Sequence, residues 1–437
     1  MSSGVQTEMD AKSTNAESVP LNRARAQAAG SSNAETVRLI SEGIRRFDAL
    51  LEKNGDESYD PYDIWGTKYG VFSRRIYYEK GKVGLPMIAP ILMLEMTFPG
   101  LRGLFVRKER FATADGQLTL AFLNLYKITK DQKFLEKAKG LGEDMLKYSV
   151  PGYAGKCWGY PFDWQNNRGL WKKNTPYITC TPYCFEAYLG LYDATGEQRY
   201  LNIARSIATF VFTDLKDTPS GPDAYAASYS PMDETKVVNA SAYRCWVLFE
   251  ADARFGLPEY RAKALRNLNF ILQSQEVDGS WLYAVATPGE AFIDHFHTCF
   301  VLKKLFKINQ RLNRADVADA IRKGYDYYRK QLFRADGLPK AFAIEPRTQI
   351  VTLEMYNFAE AITLGGLLRD FIPGAFDVAQ KLATVLCEKY QLSDGHFVTR
   401  VYRGGFRHTF PFLRWPQAQL FYSLTNLLAA SQKGAQE

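Results

Sequence analysis

The chain of 437 residues is poor in the residues that mark several common functional classes. It has only four histidines, His295, His297, His396 and His408, and no His-Glu-x-x-His pair, so a helical zinc site has no support. Its six cysteines form no Cys-x-x-Cys motif, which removes paired-thiolate zinc and thioredoxin-type readings. Cys157, Cys180, Cys184, Cys245, Cys299 and Cys387 mostly lie among apolar residues and read as small buried groups of a reducing compartment. The net charge is +8, yet no Lys/Arg block resembles a nucleic-acid arm, so no nucleic-acid partner is expected. No phosphate-binding loop, Gly-x-Ser-x-Gly elbow or credible dinucleotide fingerprint occurs. Neither a metal ion nor any other cofactor is expected. The amino-terminal residues lack the apolar core of a signal peptide, which points to a cytoplasmic protein.

What is present is apolar and aromatic. Hydrophobic residues make up 46% and aromatics 14%, enough for a large core. Apolar positions recur with helical spacing in a regular alternation. Outer-type helices are predicted at about 34–53, 132–148, 199–213, 258–274, 314–332 and 374–390. More apolar, inner-type helices are predicted at about 116–128, 181–194, 239–255, 294–309, 349–369 and 415–430. Connectors such as Asp278-Gly279-Ser280-Trp281 and Asp394-Gly395-His396-Phe397 join the pairs. Six helical hairpins that share one core read as an all-α, closed (α/α)6 toroid with short β connectors only. The last helix has no polar face to cap an open end, which favours closure over an open solenoid.

Residues 1–33 are rich in Ser, Ala, Asn and Gln and are expected to be a disordered tail. Residues 34–432 form the single toroid domain, with an irregular insertion at about 59–110. Within it, the apolar run at 85–94 is interrupted by Pro86 and Pro90 and is too short to span a bilayer. Basic residues flank it: Arg74, Arg75, Lys80 and Lys82 before, Arg102, Arg107, Lys108 and Arg110 after. Burial against the barrel is the favoured reading. Peripheral membrane contact through 85–110 is the alternative.

Polar residues recur where the inner helices begin. In Ile293-Asp294-His295-Phe296-His297-Thr298, Asp294 and His297 are three apart and share a helical face. A carboxylate beside an imidazole raises its pKa and orients it, as acid/base work requires. The plain alternative is a helix cap and a core histidine. Glu354 and Asn357 share a face of the fifth inner helix. A carboxylate among apolar residues calls for a partner such as Arg347 or Arg414. Arg414, Trp415 and Gln417 open the last inner helix, offering a planar cation and a stacking face. Asp63, Tyr160, Asp163, Trp164 and Asn239 also approach the mouth and suit sugar hydroxyls. Asp294, His297 and Glu354 are therefore the catalytic candidates, and the others are candidate substrate-binding residues.

Four segments together resemble one family: 59–63, the run Cys157-Trp158-Gly159-Tyr160-Pro161-Phe162-Asp163-Trp164-Gln165, 293–298, and Arg414-Trp415-Pro416-Gln417-Ala418-Gln419. The family is the six-hairpin, glycosidase-like (α/α) toroid proteins of bacterial exopolysaccharide and O-antigen gene clusters, of which VpsJ-type proteins are an example. The chain differs in carrying Ile64-Trp65-Gly66 where the family usually reads Gly-Leu-Asn, and Asp294-His295-Phe296-His297 where it usually reads Asp-Asn-Phe-His. The resemblance implies a role in cell-surface polysaccharide biosynthesis, on a sugar or glycan substrate that could be anionic. Glycoside hydrolysis by two separated carboxylates is the first expectation. Epimerase or lyase chemistry on the same fold is nearly equal. A non-catalytic glycan-binding or assembly role and an isoprenoid-handling toroid are further alternatives. Gln275–Trp281 resembles the repeat of squalene and terpene cyclases, but the chain has no Asp-Asp pair for their acid or metal motifs. That segment reads as a shared connector solution. The sequence leaves the oligomeric state open.

Overall fold

The computed structural model describes residues 18–287, 289–346 and 349–433. Its helices are α1 (Ser18–Asn54), α2 (Lys68–Lys80), α3 (Leu85–Thr97), α4 (Ala112–Thr129), α5 (Gln132–Lys147), α6 (Thr181–Thr195) and α7 (Gln198–Thr213). They continue with α8 (Val238–Phe255), α9 (Pro258–Gln273), α10 (His295–Leu312), α11 (Ala315–Gln331), α12 (Met355–Leu367), α13 (Ala375–Val385) and α14 (Ala418–Lys433).

The inner ring runs α4, α6, α8, α10, α12 and α14, and α14 packs back on α4, so the ring is closed. Outer helices α5, α7, α9, α11 and α13 each pack on the inner helix that precedes them, and α1 completes the sixth pair with α14. This is the (α/α)6 toroid that the periodicity implied. The two helix classes differ for a physical reason. An inner helix has neighbours all round, so it is buried on every side and its few polar residues need partners inside the ring. In α8, every residue from Val238 to Ala251 is buried. An outer helix buries one stripe; in α11 this is Val317, Ala320, Ile321, Gly324, Tyr325, Tyr327 and Tyr328.

The strands lie in the connectors, most of them leading into inner helices. β1 (Trp164–Asn166) pairs with β2 (Gly169–Trp171), and β3 (Asp217–Gly221) with β4 (Ala224–Ala227). β5 (Ile293–Asp294) pairs with β6 (Phe342–Ile344). β7 (Val351–Glu354), β8 (Arg400–Tyr402) and β9 (Arg407–His408) form a three-stranded sheet. Because these connectors precede inner helices, they gather at the end of the toroid where those helices begin.

Several boundaries differ from the sequence expectation. α12 starts at Met355 rather than near 349, because 351–354 is committed to pairing with β8. α14 starts at Ala418 rather than 415. Trp415 has extended backbone (φ −148°, ψ 100°) and Pro416 has no N–H to donate. α1 begins at Ser18, so part of the expected 1–33 tail is helical, and residues 1–17 lie outside the described residues. The apolar run at 85–94 is not swallowed by the barrel. Only Ile88 and Ile91 of that run are buried apolar side chains, in a small separate cluster with Ile64 and Trp65.

The recurring connector has one geometry. Gln275 Nε2 donates to the Gly279 and Ala320 carbonyls, and Gln391 Nε2 to the Gly395 and Gly43 carbonyls. Trp281 and Phe397 then turn inward and are buried. Gly279 (φ +92°) and Gly395 (φ +104°) occupy a backbone region that side chains rarely enter. A Cβ on Gly395 would lie 2.4 Å from the Arg46 carbonyl oxygen on α1. Gly395→Ala should therefore lose more than the roughly 1–3 kcal/mol of backbone strain alone. Urea unfolding checks this beside Gly404→Ala, where φ is +85° but the surroundings are open. Equal losses would show that the α1 contact contributes nothing.

Candidate functional site

Asp294 is the N-cap of α10. Its Oδ1 accepts the His297 backbone N–H at 2.9 Å, and its Oδ2 lies 2.6 Å from His297 Nδ1. One carboxylate thus starts the helix and fixes the imidazole, leaving Nε2 as the reactive edge. The cap and the imidazole contact are made by the same side chain. Asp294 is buried, whereas the His297 side chain retains 19% exposure. Both line a small cavity with Asn239, Trp281, Tyr283 and Thr298. The Tyr283 ring lies 4.6 Å from the imidazole, centroid to centroid. Both polar atoms of the buried Asn239 amide lack a protein partner. An amide with free donor and acceptor facing an imidazole is suited to a sugar hydroxyl.

His295 does not join this site. It points back into the α10–α11 interface, with Nδ1 3.0 Å from the Leu332 carbonyl and Nε2 2.8 Å from the Tyr328 hydroxyl. Burial pushes it down to about 3, so it stays neutral. The unfolded chain takes up this proton near pH 6.5. A depressed folded pKa contributes stability above the unfolded value and loses it as pH falls. His295 should therefore cost about 1.4 kcal/mol per pH unit below about 6.5, until its folded value is reached. Asp63 and Asp115, pushed up to about 6 mainly by burial, act in the opposite sense between about pH 6 and 4. Urea midpoints across that range should fall less steeply in His295→Gln than in the parent. Parallel curves would rule out the histidine as the cause.

The remaining candidates are held by partners. Arg414 donates to Asp60 through both Nε and Nη2, the latter at 2.8 Å, and its guanidinium lies 4.8 Å from the Tyr160 ring centre. Glu354 accepts from Arg400 Nε at 2.6 Å. The expected Glu354–Arg414 pair is thus replaced by two separate pairs, and Arg347 lies outside the described residues. Burial raises the Glu354 pKa against the pull of Arg400. Asp63 pairs with Arg102 at 3.0 Å. Asp163 accepts from the Lys173 backbone and lies 3.2 Å from Lys172 Nζ, so it shapes its own loop. Gln417 clamps the Phe397 backbone with both amide atoms.

Trp415 stacks on Tyr356 at 3.8 Å and meets Phe296 edge-on at 5.4 Å. Tyr356, Phe300, Tyr243 and Tyr183 continue this belt around the inner helices. Glu354 and Arg414 do not line the Asp294–His297 cavity. Asn357 is buried with its Oδ1 unpartnered. Tyr160 and Trp164 stack at 5.3 Å in an aromatic group with Phe162 and Tyr62. Arg168 on the β1–β2 turn pairs with Glu290, tying two connectors together; Tyr283 lies near both residues and Asp294.

A second chamber of about 240 Å³ lies deeper among the inner helices, lined by Glu186, Lys303, Lys304, Lys307 and Tyr183. Lys303 pairs with Glu360 at 2.5 Å, while Lys304 and Lys307 share Glu186. Burial would raise the Glu186 pKa, but the neighbouring lysines, Lys307 first, outweigh it and hold the carboxyl at about 2, while burial and the Lys307 charge push Lys304 well below the ordinary lysine value. Sequence reading missed this network and Tyr283. The signal was Lys303, Lys304 and Lys307 inside an apolar helix, where charge requires inward partners.

No family model and no curated protein matches the chain. Solved structures do. An unsaturated glucuronyl hydrolase from Bacillus sp. GL1 superposes with a TM-score of 0.58 and 12% identity, covering 89% of this chain and 95% of that one. A sugar epimerase from a ruminal bacterium gives 0.56 and 12%, covering 80% and 99%. Cellobiose 2-epimerase from Bacillus thermoamylovorans gives 0.56 and 11%, covering 74% and 88%. At these identities the likeness establishes the fold alone, a toroid of six helical hairpins.

Proposed function

We propose that this chain is a carbohydrate-active enzyme that moves a proton on a neutral sugar at the mouth of the toroid, with His297 as the acid/base group and Asp294 orienting it. The observation that carries this reading is the Asp294–His297 hydrogen bond beside the unpartnered Asn239 amide in one cavity. Structural neighbours named as sugar epimerases and a glucuronyl hydrolase support the carbohydrate class.

Two-carboxylate hydrolysis needs a second carboxyl group facing the same substrate. Asp294 uses both oxygens on His297, and Glu290, Glu354, Asp60 and Asp163 are paired elsewhere. Elimination from a uronic acid needs a cation to neutralise the substrate carboxylate. Arg168, Arg400 and Arg414 are each committed to a protein carboxylate. This also lowers the case for an anionic substrate at Arg414. Epimerisation beside a sugar carbonyl needs neither group. It needs a base that takes the proton next to the carbonyl and, after the enediol turns, returns one to its other face; His297 is positioned to do both, and the Asn239 amide to hold a sugar hydroxyl.

A role in cell-surface polysaccharide biosynthesis remains the biological context suggested by the motif resemblance. The six buried free thiols support a reducing compartment. No helix among the described residues is long and apolar enough to cross a membrane. Incubation with reducing mono- and disaccharides in heavy water tests the chemistry. Deuterium should enter at the carbon next to the carbonyl, followed by proton NMR. New reducing ends without exchange would instead establish hydrolysis.

A further inference from the structure

The insertion between the first outer helix and α4 carries an unusual surface. Of the seventeen large hydrophobic residues exposed among the described residues, eleven lie between Tyr69 and Phe105. They are concentrated on α2, α3 and the turn that follows, so this is one region and not scattered surface apolars. Val83 is 78% exposed, Met93 67%, Phe98 65%, Leu104 77% and Phe105 62%.

The helix chemistry shows why. α3 buries Ile88, Ile91 and Glu95 on one stripe. A surface helix would be polar on the opposite side. Here Met93 lies opposite the stripe, exposed Leu85 and Leu92 flank it, and 83–94 contains no charged residue. At about 1.5 Å per residue that run is far shorter than a bilayer core, so it suits lying in an interface and not crossing one.

Exposed cations lie among and next to the apolar residues in the sequence. Arg75, Lys80, Lys82, Arg107 and Lys108 are exposed, and none is in an ion pair among the described residues. Only Glu79 and Glu109 are exposed acids between 68 and 109. The platform is tied firmly to the toroid. Arg102 is fully buried, bonded to Asp63 at 3.0 Å and to Glu95, and stacked 4.5 Å from the Phe412 ring centre. His408 Nε2 lies 2.9 Å from the Glu95 carbonyl. Rigid support matters, because a face held open in this way buries its apolar groups without a folding cost at the moment of docking.

We propose that the α2–α3 face is a docking surface for an anionic lipid bilayer. The apolar side chains insert at the headgroup–acyl boundary and the lysines and arginines meet lipid phosphates. A second copy of this chain would bring the same five cations against one another across a two-fold contact, which disfavours it as the occupant. The turn at 59–63 links this platform to the mouth. Asp63 holds Arg102, Asp60 holds Arg414, and the Tyr62 ring lies 5.0 Å from that of Trp164. Docking therefore sets the mouth beside the headgroup layer. The proposal stands apart from the reaction assigned to His297.

Co-sedimentation of the full chain with vesicles tests it. The protein should pellet with phosphatidylcholine vesicles containing phosphatidylglycerol, and binding should fall with salt. Lys80→Glu with Lys82→Glu should weaken binding by about fivefold or more per site. Met93→Ser with Phe105→Ser should abolish it with the melting temperature unchanged, because both side chains are exposed in the free protein. No pelleting with anionic vesicles would overturn the proposal. So would light scattering that shows a dimer dispersed by the serine variant, since the face would then belong to a second copy.

Discussion

Replacing His297 by alanine should lower turnover by about 10²–10⁴-fold, the usual contribution of a positioned acid/base group. The melting temperature should fall only modestly, since Asp294 Oδ2 loses its partner at a cost of about 1–3 kcal/mol while the helix cap stays. The reason lies in how the imidazole is held. Its Nδ1 side is fixed by Asp294 Oδ2, while the α10 cap is made by Asp294 Oδ1 to the residue 297 backbone N–H, which alanine also has. The substitution thus removes the proton carrier and keeps the cap. Asp294→Asn separates the two roles further. Its side-chain oxygen can still cap the helix, but the amide cannot stabilise an imidazolium. Deuterium exchange should fall in both variants. Full exchange activity in folded His297→Ala would remove the residue from the chemistry.

The largest loss of stability should follow Asp60→Ala. Asp60 is fully buried and Arg414 nearly so, and the guanidinium sits against Tyr62, Tyr160 and Trp415. Removing one partner of such a pair leaves a buried charge uncompensated, at a cost of about 3–5 kcal/mol. The effect extends beyond the pair. Asp60 Oδ1 also accepts the Tyr62 N–H at 2.9 Å, so the turn at 59–63 loses a fixed point, whereas the Asp60 carbonyl that accepts from Arg102 is kept. Asp60→Ala combined with Arg414→Met should recover part of the loss, because the charge is then absent and the aromatic cage is filled. Chemical unfolding of the single and double variants measures this. An Asp60→Ala protein as stable as the parent would mean that solvent reaches the guanidinium and replaces the carboxylate.

The sequence already pointed to the contact between Asp294 and His297, because a three-residue spacing at a helix start leaves few geometries. It could not assign partners to Glu354 and Arg414. Both lie at the starts of adjacent inner helices, so pairing them was the economical reading. Their actual partners, Arg400 and Asp60, come from a connector strand and from a turn more than three hundred residues away. His295 shows the same limit. It is two residues from His297, yet the helical turn sends it into the α11 interface toward Tyr328.

By itself the sequence determined the helices, their alternation into inner and outer classes, and the connector glycines. These follow from local rules: apolar periodicity sets which face is buried, and a positive φ calls for glycine. Only the tertiary structure decided which charges meet, that the aromatic belt and a lysine-lined chamber lie inside the ring, and that α3 keeps an apolar face outward. Those outcomes depend on which residues from distant turns of the toroid are brought within a few ångströms. Ring closure fixes that, and no short window of sequence contains it.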